Sequence, residues 1–160
     1  MIRPAAPADH AAIHAVVAAA FGQAEEAQLV EALRADGDAL LELVAADDGA
    51  VVGHILFSPL VTDNGRRLAA LAPLSVEPGR QKTGLGTALM EEGHRRLAAA
   101  GIEAVILLGH PAYYPRVGYS ADLAKVVTSP FNGPGFMALE LAPGALSQPL
   151  GITYARAFGL

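Results

Sequence analysis

GRQKTGLGTALM, residues 79–90, places two glycines at the start of a helical run. Gly84 and Gly86 would let backbone N–H groups approach an anion at the helix N-terminus. Gly79 and Gly84 have the spacing of a Walker A loop, but a Leu-Gly pair stands where Lys-Ser/Thr would contact phosphate and Mg²⁺. The dinucleotide-binding fingerprint fails too, because Leu89 occupies the third glycine position. The stretch is therefore either another kind of anion loop or a plain strand-to-helix turn.

The composition predicts one domain, residues 1–160. Of these 160 residues 52% are hydrophobic, which is enough for a single core without disulfide or metal staples. The absence of cysteine excludes a cysteine nucleophile and thiolate metal sites, and it favours a cytoplasmic location. The 11 basic residues are scattered and the formal net charge is −5, so we expect no nucleic-acid partner. The apolar runs are too short to span a membrane, so we expect no membrane partner.

Two amphipathic helices are predicted after a short first strand near residues 2–3. The first carries an apolar stripe from Ile13 to Phe21, and Gly22 ends it. The second has glutamates at its start, directs Leu29 and its neighbours inward, and ends at Asp36-Gly37.

Three strand-like runs follow, at residues 40–46, 51–60 and 68–76. The pairs Asp48-Gly49 and Asn64-Gly65 between them are strong hairpin-turn signals, so the runs predict an antiparallel meander. Pro73 lies within the last run, where its missing N–H donor indicates a β-bulge or an edge.

The second half of the chain predicts a helical crossover. A helix over residues 84–100, with Gly93 on its sheet-facing side, leads to a wholly apolar strand at residues 104–108, as expected for a parallel pair. A short helix ending at Gly118 and two C-terminal strands, residues 136–141 and 152–157, complete the chain. The result is an α/β fold in which helices cover a mixed sheet.

Two motifs together resemble those of the GCN5-related N-acetyltransferase (GNAT) family. Gln81-x-x-Gly84-x-Gly86 after Val76-Glu77-Pro78 resembles its acetyl-CoA motif, Q/R-x-x-G-x-G/A after a strand ending in V-x-P. YYPRVGY, residues 113–119, resembles the downstream F-Y-x-x-x-G-F segment. Residues 107–114 and 136–141 more narrowly resemble predicted acetyltransferases of the YhbS type.

The resemblance implies a mostly antiparallel sheet with a splayed parallel pair, here residues 68–76 and 104–108. It also implies acetyl-CoA as the cosubstrate, with the pyrophosphate at the glycine loop and the acyl-pantetheine arm between the splayed strands. The cosubstrate-binding residues that it implies are Leu74, Ser75, Val76, Gln81, Lys82, Thr83, Gly84, Leu85, Gly86 and Thr87.

Tyr114 occupies the family's general-acid position, four residues before Gly118. Tyr113 is the alternative, and adjacent helical positions predict that only one of the two faces the cleft. Relatives place a glutamate on the strand before the loop, but residues 68–76 contain no acid. The general base is therefore left among Glu26, His54, His110 and water.

These features predict an enzyme that moves an acetyl group directly from acetyl-CoA to a primary amine of a small molecule or peptide. The alternative is a non-catalytic acyl-CoA sensor or regulatory module with the same fold. His10 and His14 are spaced i,i+4 without an obvious third ligand, so no metal site is expected. The sequence leaves open the acyl chain length, the identity of the amine and the oligomeric state, for which a homodimer is one possibility.

Overall fold

The computed structural model describes residues 1–160 and contains three α-helices and eight β-strands. In chain order these are β1 (Ile2–Pro4), α1 (His10–Phe21), α2 (Glu25–Ala35), β2 (Leu41–Asp47), β3 (Ala50–Thr62), β4 (Leu68–Val76), α3 (Leu85–Ala99), β5 (Ala104–Leu108), β6 (Val127–Thr128), β7 (Phe136–Glu140) and β8 (Leu150–Thr153). The predicted α/β order is confirmed up to β5. After β5 the short helix is instead a 3₁₀ turn, Tyr114–Val117, and the two-residue β6 was not predicted.

One sheet runs in the order β1-β2-β3-β4-β5-β7, and β8 pairs with the end of β3 and with β6. Within the main run only β4 and β5 are parallel, as expected for strands joined through the crossover helix α3. The antiparallel meander β2-β3-β4 is confirmed. The mostly antiparallel sheet with one parallel pair is the architecture that the motifs imply.

The parallel pair diverges after three residues. Leu68–Ala70 pair with Ala104–Ile106, whereas residues 71–76 of β4 have no partner on β5. On its other side β4 stays paired with β3 except at Ala72-Pro73, where the register shifts and two residues face Leu56 alone. The bulge predicted from Pro73 is confirmed. Residues 71–76 of β4 present a free backbone edge on the side that faces β5.

Helices cover both faces of the sheet. On one face α3 approaches β3 so closely that a Cβ on Gly93 would lie 2.5 Å from Cε2 of Phe57. Only glycine fits there, as the sequence predicted. On the opposite face α1 and α2 bury Ile13, Val17 and Leu33 against residues of β2 and β3. None of the helices combines the length and the hydropathy that crossing a bilayer requires.

Two apolar side chains depart from the predicted packing. Phe21 was expected on the buried stripe of α1, but it is 43% exposed at the last position of that helix. Leu29 was expected to point inward from α2 and is only partly buried, while Ala27 and Val30 take the buried positions. Both line a cleft, so their exposure bears on the site.

Candidate active site

A cleft of about 1260 Å³ opens where β4 and β5 diverge. Five segments form its walls: the end of α1, the first turns of α2, the bulged half of β4, the loop leading into α3, and the chain that follows β5 as far as Arg116. Seven of the ten residues predicted to bind the cosubstrate lie on its walls: Leu74, Val76, Gln81, Lys82, Gly84, Gly86 and Thr87. Tyr114 lies there too.

The glycine loop ends directly at the N-terminus of α3. Gly84 adopts a left-handed conformation (φ +86°), which allows the chain to turn into the helix at Leu85. The Gln81 side-chain amide donates to the carbonyl oxygen of Val76 (3.1 Å), and the Thr83 hydroxyl donates to that of Arg80 (2.6 Å). These bonds fix the loop, and the first N–H groups of α3 have no partner within the helix. The arrangement is suited to hold an anion.

The floor of the loop has no room for a side chain at Gly86. A Cβ there would lie 3.0 Å from Oη of Tyr113 and 3.7 Å from Cδ2 of Leu74. The two basic side chains of the loop differ, because Arg80 forms ion pairs with Asp47 and Glu77 whereas Lys82 forms none. Lys82 is therefore the basic side chain of this loop that is available to a ligand in the cleft.

Three of the predicted residues turn their side chains away from the cleft. Ser75 is buried and pairs across the sheet with His54. Leu85 packs against the core beneath α3. Thr83, together with Leu85, lines a separate smaller pocket of about 320 Å³. Only their main-chain groups are candidates for contact with a ligand in the cleft.

Tyr113 and Tyr114 both line the cleft, so the prediction that only one of them could do so is wrong. Tyr113 precedes the 3₁₀ turn Tyr114–Val117 rather than sharing an α-helix with Tyr114, and the two rings meet edge to face at 5.0 Å. The Tyr113 hydroxyl forms a hydrogen bond with Thr87 (3.3 Å), whereas the Tyr114 hydroxyl has no protein partner. Tyr114 has the hydroxyl that is free for a ligand.

Packing holds the Tyr114 ring in place and keeps its hydroxyl protonated. The ring lies over Gly109, where a Cβ would come within 3.0 Å of its Cδ2, and meets Tyr119 edge to face at 6.0 Å. Burial, with a smaller contribution from Tyr113, raises the pKa of Tyr114 to about 12. At neutral pH the phenol is therefore a hydrogen-bond donor.

The structure separates the general-base candidates. Glu26 and His110 line the cleft, whereas His54 is fully buried and donates from Nε2 to Glu42 (2.7 Å). Arg34 also donates to Glu42, at 2.7 Å. Burial opposes ionisation of Glu42, but the hydrogen bonds from His54 and Arg34 lower its pKa to about 2. His54 of β3 therefore belongs to a hydrogen-bonded network with Glu42 of β2 and Arg34 of α2, outside the cleft walls.

Sequence reasoning missed the contribution of Phe21, Leu29 and Arg116 to the cleft walls. Phe21 and Leu29 have the apolar periodicity of core residues, and Arg116 has the sequence context of an ordinary surface residue. The one sequence feature that could have indicated exposure is the position of Phe21 at the end of a helix. No group of three or more His, Cys, Asp or Glu side chains is close enough together to hold a metal ion.

The family follows from the chain's sequence and from its fold. A sequence model of the acetyltransferase (GNAT) domain matches residues 1–121. The chain belongs to the GNAT acetyltransferase family. This membership confirms the resemblance seen in the glycine loop and in the segment at residues 113–119.

Several GNAT relatives match nearly the whole chain. The uncharacterized N-acetyltransferase YhbS of Escherichia coli K12 is 40% identical over 158 residues, covering 95% of this chain and 93% of YhbS. The crystal structure of E. coli YhbS in complex with CoA superposes with a TM-score of 0.91 at 34% identity, covering 100% of this chain and 92% of that one. A GNAT acetyltransferase from Brucella melitensis in complex with acetyl-CoA superposes with a TM-score of 0.83 at 36% identity, covering 99% and 97%.

Proposed function

We propose that this chain binds acetyl-CoA in the cleft and transfers the acetyl group directly to a primary amine. The observation that carries the proposal is one cleft that joins an anion-binding loop at a helix N-terminus to an unpaired strand edge. Two similar proteins, E. coli YhbS and the B. melitensis acetyltransferase, have been crystallised with CoA and with acetyl-CoA respectively. The volume of about 1260 Å³ exceeds the roughly 300–1,000 Å³ of ordinary ligand pockets, as two substrates require.

The pyrophosphate would bind at the start of α3. The main-chain N–H groups of residues 81–87 provide the donors, and the helix dipole favours the negative charge. The bare backbone at Gly86 permits close approach, and Lys82 adds a charge-assisted contact. The Thr87 hydroxyl lies at the same end of the cleft.

The acyl-pantetheine arm would lie along the free edge of β4. Leu74, Ser75 and Val76 follow the bulge at Ala72-Pro73 and have no partner on β5, so their main-chain groups can pair with the arm as an added strand would. Ser75 would therefore contact the arm through its main-chain groups, although its side chain points away from the cleft.

Tyr114 would stabilise the sulfur as it leaves. An ordinary thiol has a pKa of about 8.5, so a phenol with a pKa of about 12 is the weaker acid of the two. Full proton transfer from Tyr114 to the thiolate is therefore uphill. We infer that Tyr114 donates a hydrogen bond that strengthens as charge develops on the sulfur, and that the proton comes finally from solvent.

The attacking amine must lose its proton before or during transfer. With His54 buried and hydrogen-bonded to Glu42, the acceptors left in the cleft are Glu26, His110 and water. The lack of an acid on β4 is the observation that favours the alternative function, a sensor that binds acyl-CoA without turnover.

We also propose that residues 1–160 act as one domain, because β7, beyond the residues matched by the family model, completes the sheet beside β5. The cytoplasmic location expected from the composition stays a prediction.

Thermal unfolding with and without cosubstrate tests binding. Acetyl-CoA should raise the Tm, since at a hundredfold excess over Kd a ligand of the native state adds about 2.7 kcal/mol of stability. An equal shift from ATP–Mg²⁺ would contradict the cosubstrate proposal. Release of free CoA thiol over a panel of amines then separates the enzyme from the sensor, which should bind acetyl-CoA and release none.

A further inference from the structure

The charges on the cleft walls are strongly unequal. Glu26 is the one acidic side chain among the lining residues, whereas Lys82 and Arg116 line the same cleft without an ion-pair partner and Arg80 lines it paired with Asp47 and Glu77. The whole chain has the opposite balance, with a formal net charge of −5. The excess of basic groups is therefore local to the cleft.

Glu26 has no cationic partner. It lies in the first turn of α2, is partly buried and forms no ion pair. The side-chain amide of Gln23 donates to both carboxylate oxygens, at 3.0 and 3.1 Å, and so orients the group. Because a carboxylate accepts about four hydrogen bonds, Glu26 keeps acceptor capacity for a cation brought by a ligand.

Apolar surface lies beside this carboxylate. Phe21 is 43% exposed, and it lines the cleft together with Ala20 and Leu29. An exposed aromatic ring in a concave site is typical of ligand pockets, where a few polar groups orient a ligand that is otherwise held by apolar contact. The wall formed by α1 and α2 thus offers one negative charge within an apolar surround.

We propose that the acceptor is a monoamine whose single ammonium group pairs with Glu26 and whose neighbouring aliphatic or aromatic group packs on Phe21 and Leu29. This inference rests on the proposed function and specifies its substrate class. Polyamines and aminoglycosides are disfavoured, because the cleft walls hold no second carboxylate for a second ammonium group, which would instead meet the apolar surface beside Glu26.

A matched set of acceptors tests the substrate class. Release of CoA from acetyl-CoA would be measured with 2-phenylethylamine, methylamine, spermidine and kanamycin as acceptors. We expect kcat/KM to be highest for 2-phenylethylamine and at least about tenfold lower for spermidine, since tenfold corresponds to about 1.4 kcal/mol. A higher kcat/KM for spermidine or kanamycin would overturn the proposal.

Two variants test the residues. Glu26→Gln should raise the KM for 2-phenylethylamine by about tenfold or more with the KM for acetyl-CoA nearly unchanged, as expected for lost acceptor binding. Phe21→Ala should lower kcat/KM for 2-phenylethylamine and leave that for methylamine unchanged. Glu25→Gln is the matched control, because Glu25 is the adjacent, exposed acid of the same helical turn and does not line the cleft. Equal effects of Glu26→Gln and Glu25→Gln, or a loss of kcat alone in Glu26→Gln, would overturn the role of Glu26.

Calorimetric titration of 2-phenylethylamine into the CoA-saturated protein keeps this inference separate from the proposed function. Binding to wild type that weakens in Glu26→Gln, together with no CoA release from any amine, would support the acceptor site and overturn acetyl transfer. No binding of 2-phenylethylamine alongside normal turnover of spermidine would overturn the monoamine inference and leave acetyl transfer intact.

Discussion

The Tyr113 hydroxyl lies 3.3 Å from the Thr87 hydroxyl and thereby joins the segment after β5 to the first turn of α3. Its neighbour Tyr114 makes no such bond and leaves its own hydroxyl free in the cleft. Two adjacent tyrosines that share a wall thus differ in what they can do. Tyr113 braces the loop, and Tyr114 is available to the substrate.

Replacing Tyr114 by phenylalanine should lower turnover and leave affinity for acetyl-CoA nearly constant. The hydroxyl acts on the leaving sulfur, while the ring still packs on Gly109 and Tyr119. Loss of one hydrogen-bond donor to a developing negative charge typically costs about 10²–10³-fold, and single-turnover kinetics would measure it even where product release limits kcat.

Tyr113→Phe is the control for this assignment. It should leave the single-turnover rate close to that of wild type, because the hydroxyl that it removes contacts Thr87 in the resting protein. A large loss in Tyr113→Phe with a normal rate in Tyr114→Phe would show that the roles are reversed. Normal rates in both would remove the tyrosine from the mechanism.

Replacing Gly86 by valine should weaken CoA binding while the fold is retained. The new side chain would meet Tyr113 and Leu74 and occupy the space through which phosphate oxygens approach the backbone. We expect the Kd for CoA to rise by about tenfold or more, since even one hydrogen bond to a charged group is worth about 1.5–3 kcal/mol. Isothermal titration calorimetry measures the change.

Gly79→Val is the matched control in the same loop. A Cβ on Gly79 would meet nothing within 4 Å, and Gly79 has no positive φ. Its affinity for CoA should remain near that of wild type. If Gly86→Val also bound CoA normally, residues 79–90 would be a turn without a ligand.

The sequence predicted those parts of the fold that local chemistry determines. Hairpin dipeptides such as Asp48-Gly49 placed the meander, Pro73 marked the bulge, and the glycine loop placed the start of α3 within one residue. The site was harder, because its walls come from three stretches that are distant in sequence, residues 20–29, 71–87 and 108–116. Periodicity gives Phe21 the same signal as a core residue, although it is 43% exposed at the last position of α1.

Adding a methyl group at Gly93 should destabilise the fold. The Cβ of alanine would lie 2.5 Å from Cε2 and 2.7 Å from Cζ of Phe57, whose ring is fully buried and cannot swing aside. Overpacking of this kind typically lowers the free energy of unfolding by about 1–3 kcal/mol. The better helix propensity of alanine offsets up to about 1 kcal/mol of this loss. Urea denaturation should therefore give a lower midpoint for Gly93→Ala.

The double variant Gly93→Ala/Phe57→Leu distinguishes this clash from a general effect of the substitution. A smaller side chain at residue 57 makes room for the methyl group, so the cost of Gly93→Ala should be lower in the Phe57→Leu background than in wild type. Additive losses would mean that α3 does not depend on this contact.

The stability of the protein should fall as the pH drops from about 6.5 toward 4, because of His94. This side chain packs against Phe57 and is hydrogen-bonded through Nε2 to the Tyr119 hydroxyl at 2.7 Å, and burial lowers its pKa from 6.5 to about 4. Between those pH values the unfolded chain binds a proton that the folded chain does not, so acidification favours unfolding. Above pH 6.5 the histidine is neutral in both states and costs no stability. As the pH falls to about 4, the loss of stability grows to about 3 kcal/mol, from roughly 1.36 kcal/mol per pKa unit. Glu42, whose pKa is lowered to about 2, adds a second loss of stability only below about pH 4.5.

Urea midpoints at pH 7, 6 and 5 would measure how steeply stability falls with pH. This slope should be shallower in His94→Gln and unchanged in the control His10→Gln, whose histidine lies partly exposed at the start of α1. Equal slopes in wild type and His94→Gln would mean that the ionisation of another group causes the acid sensitivity.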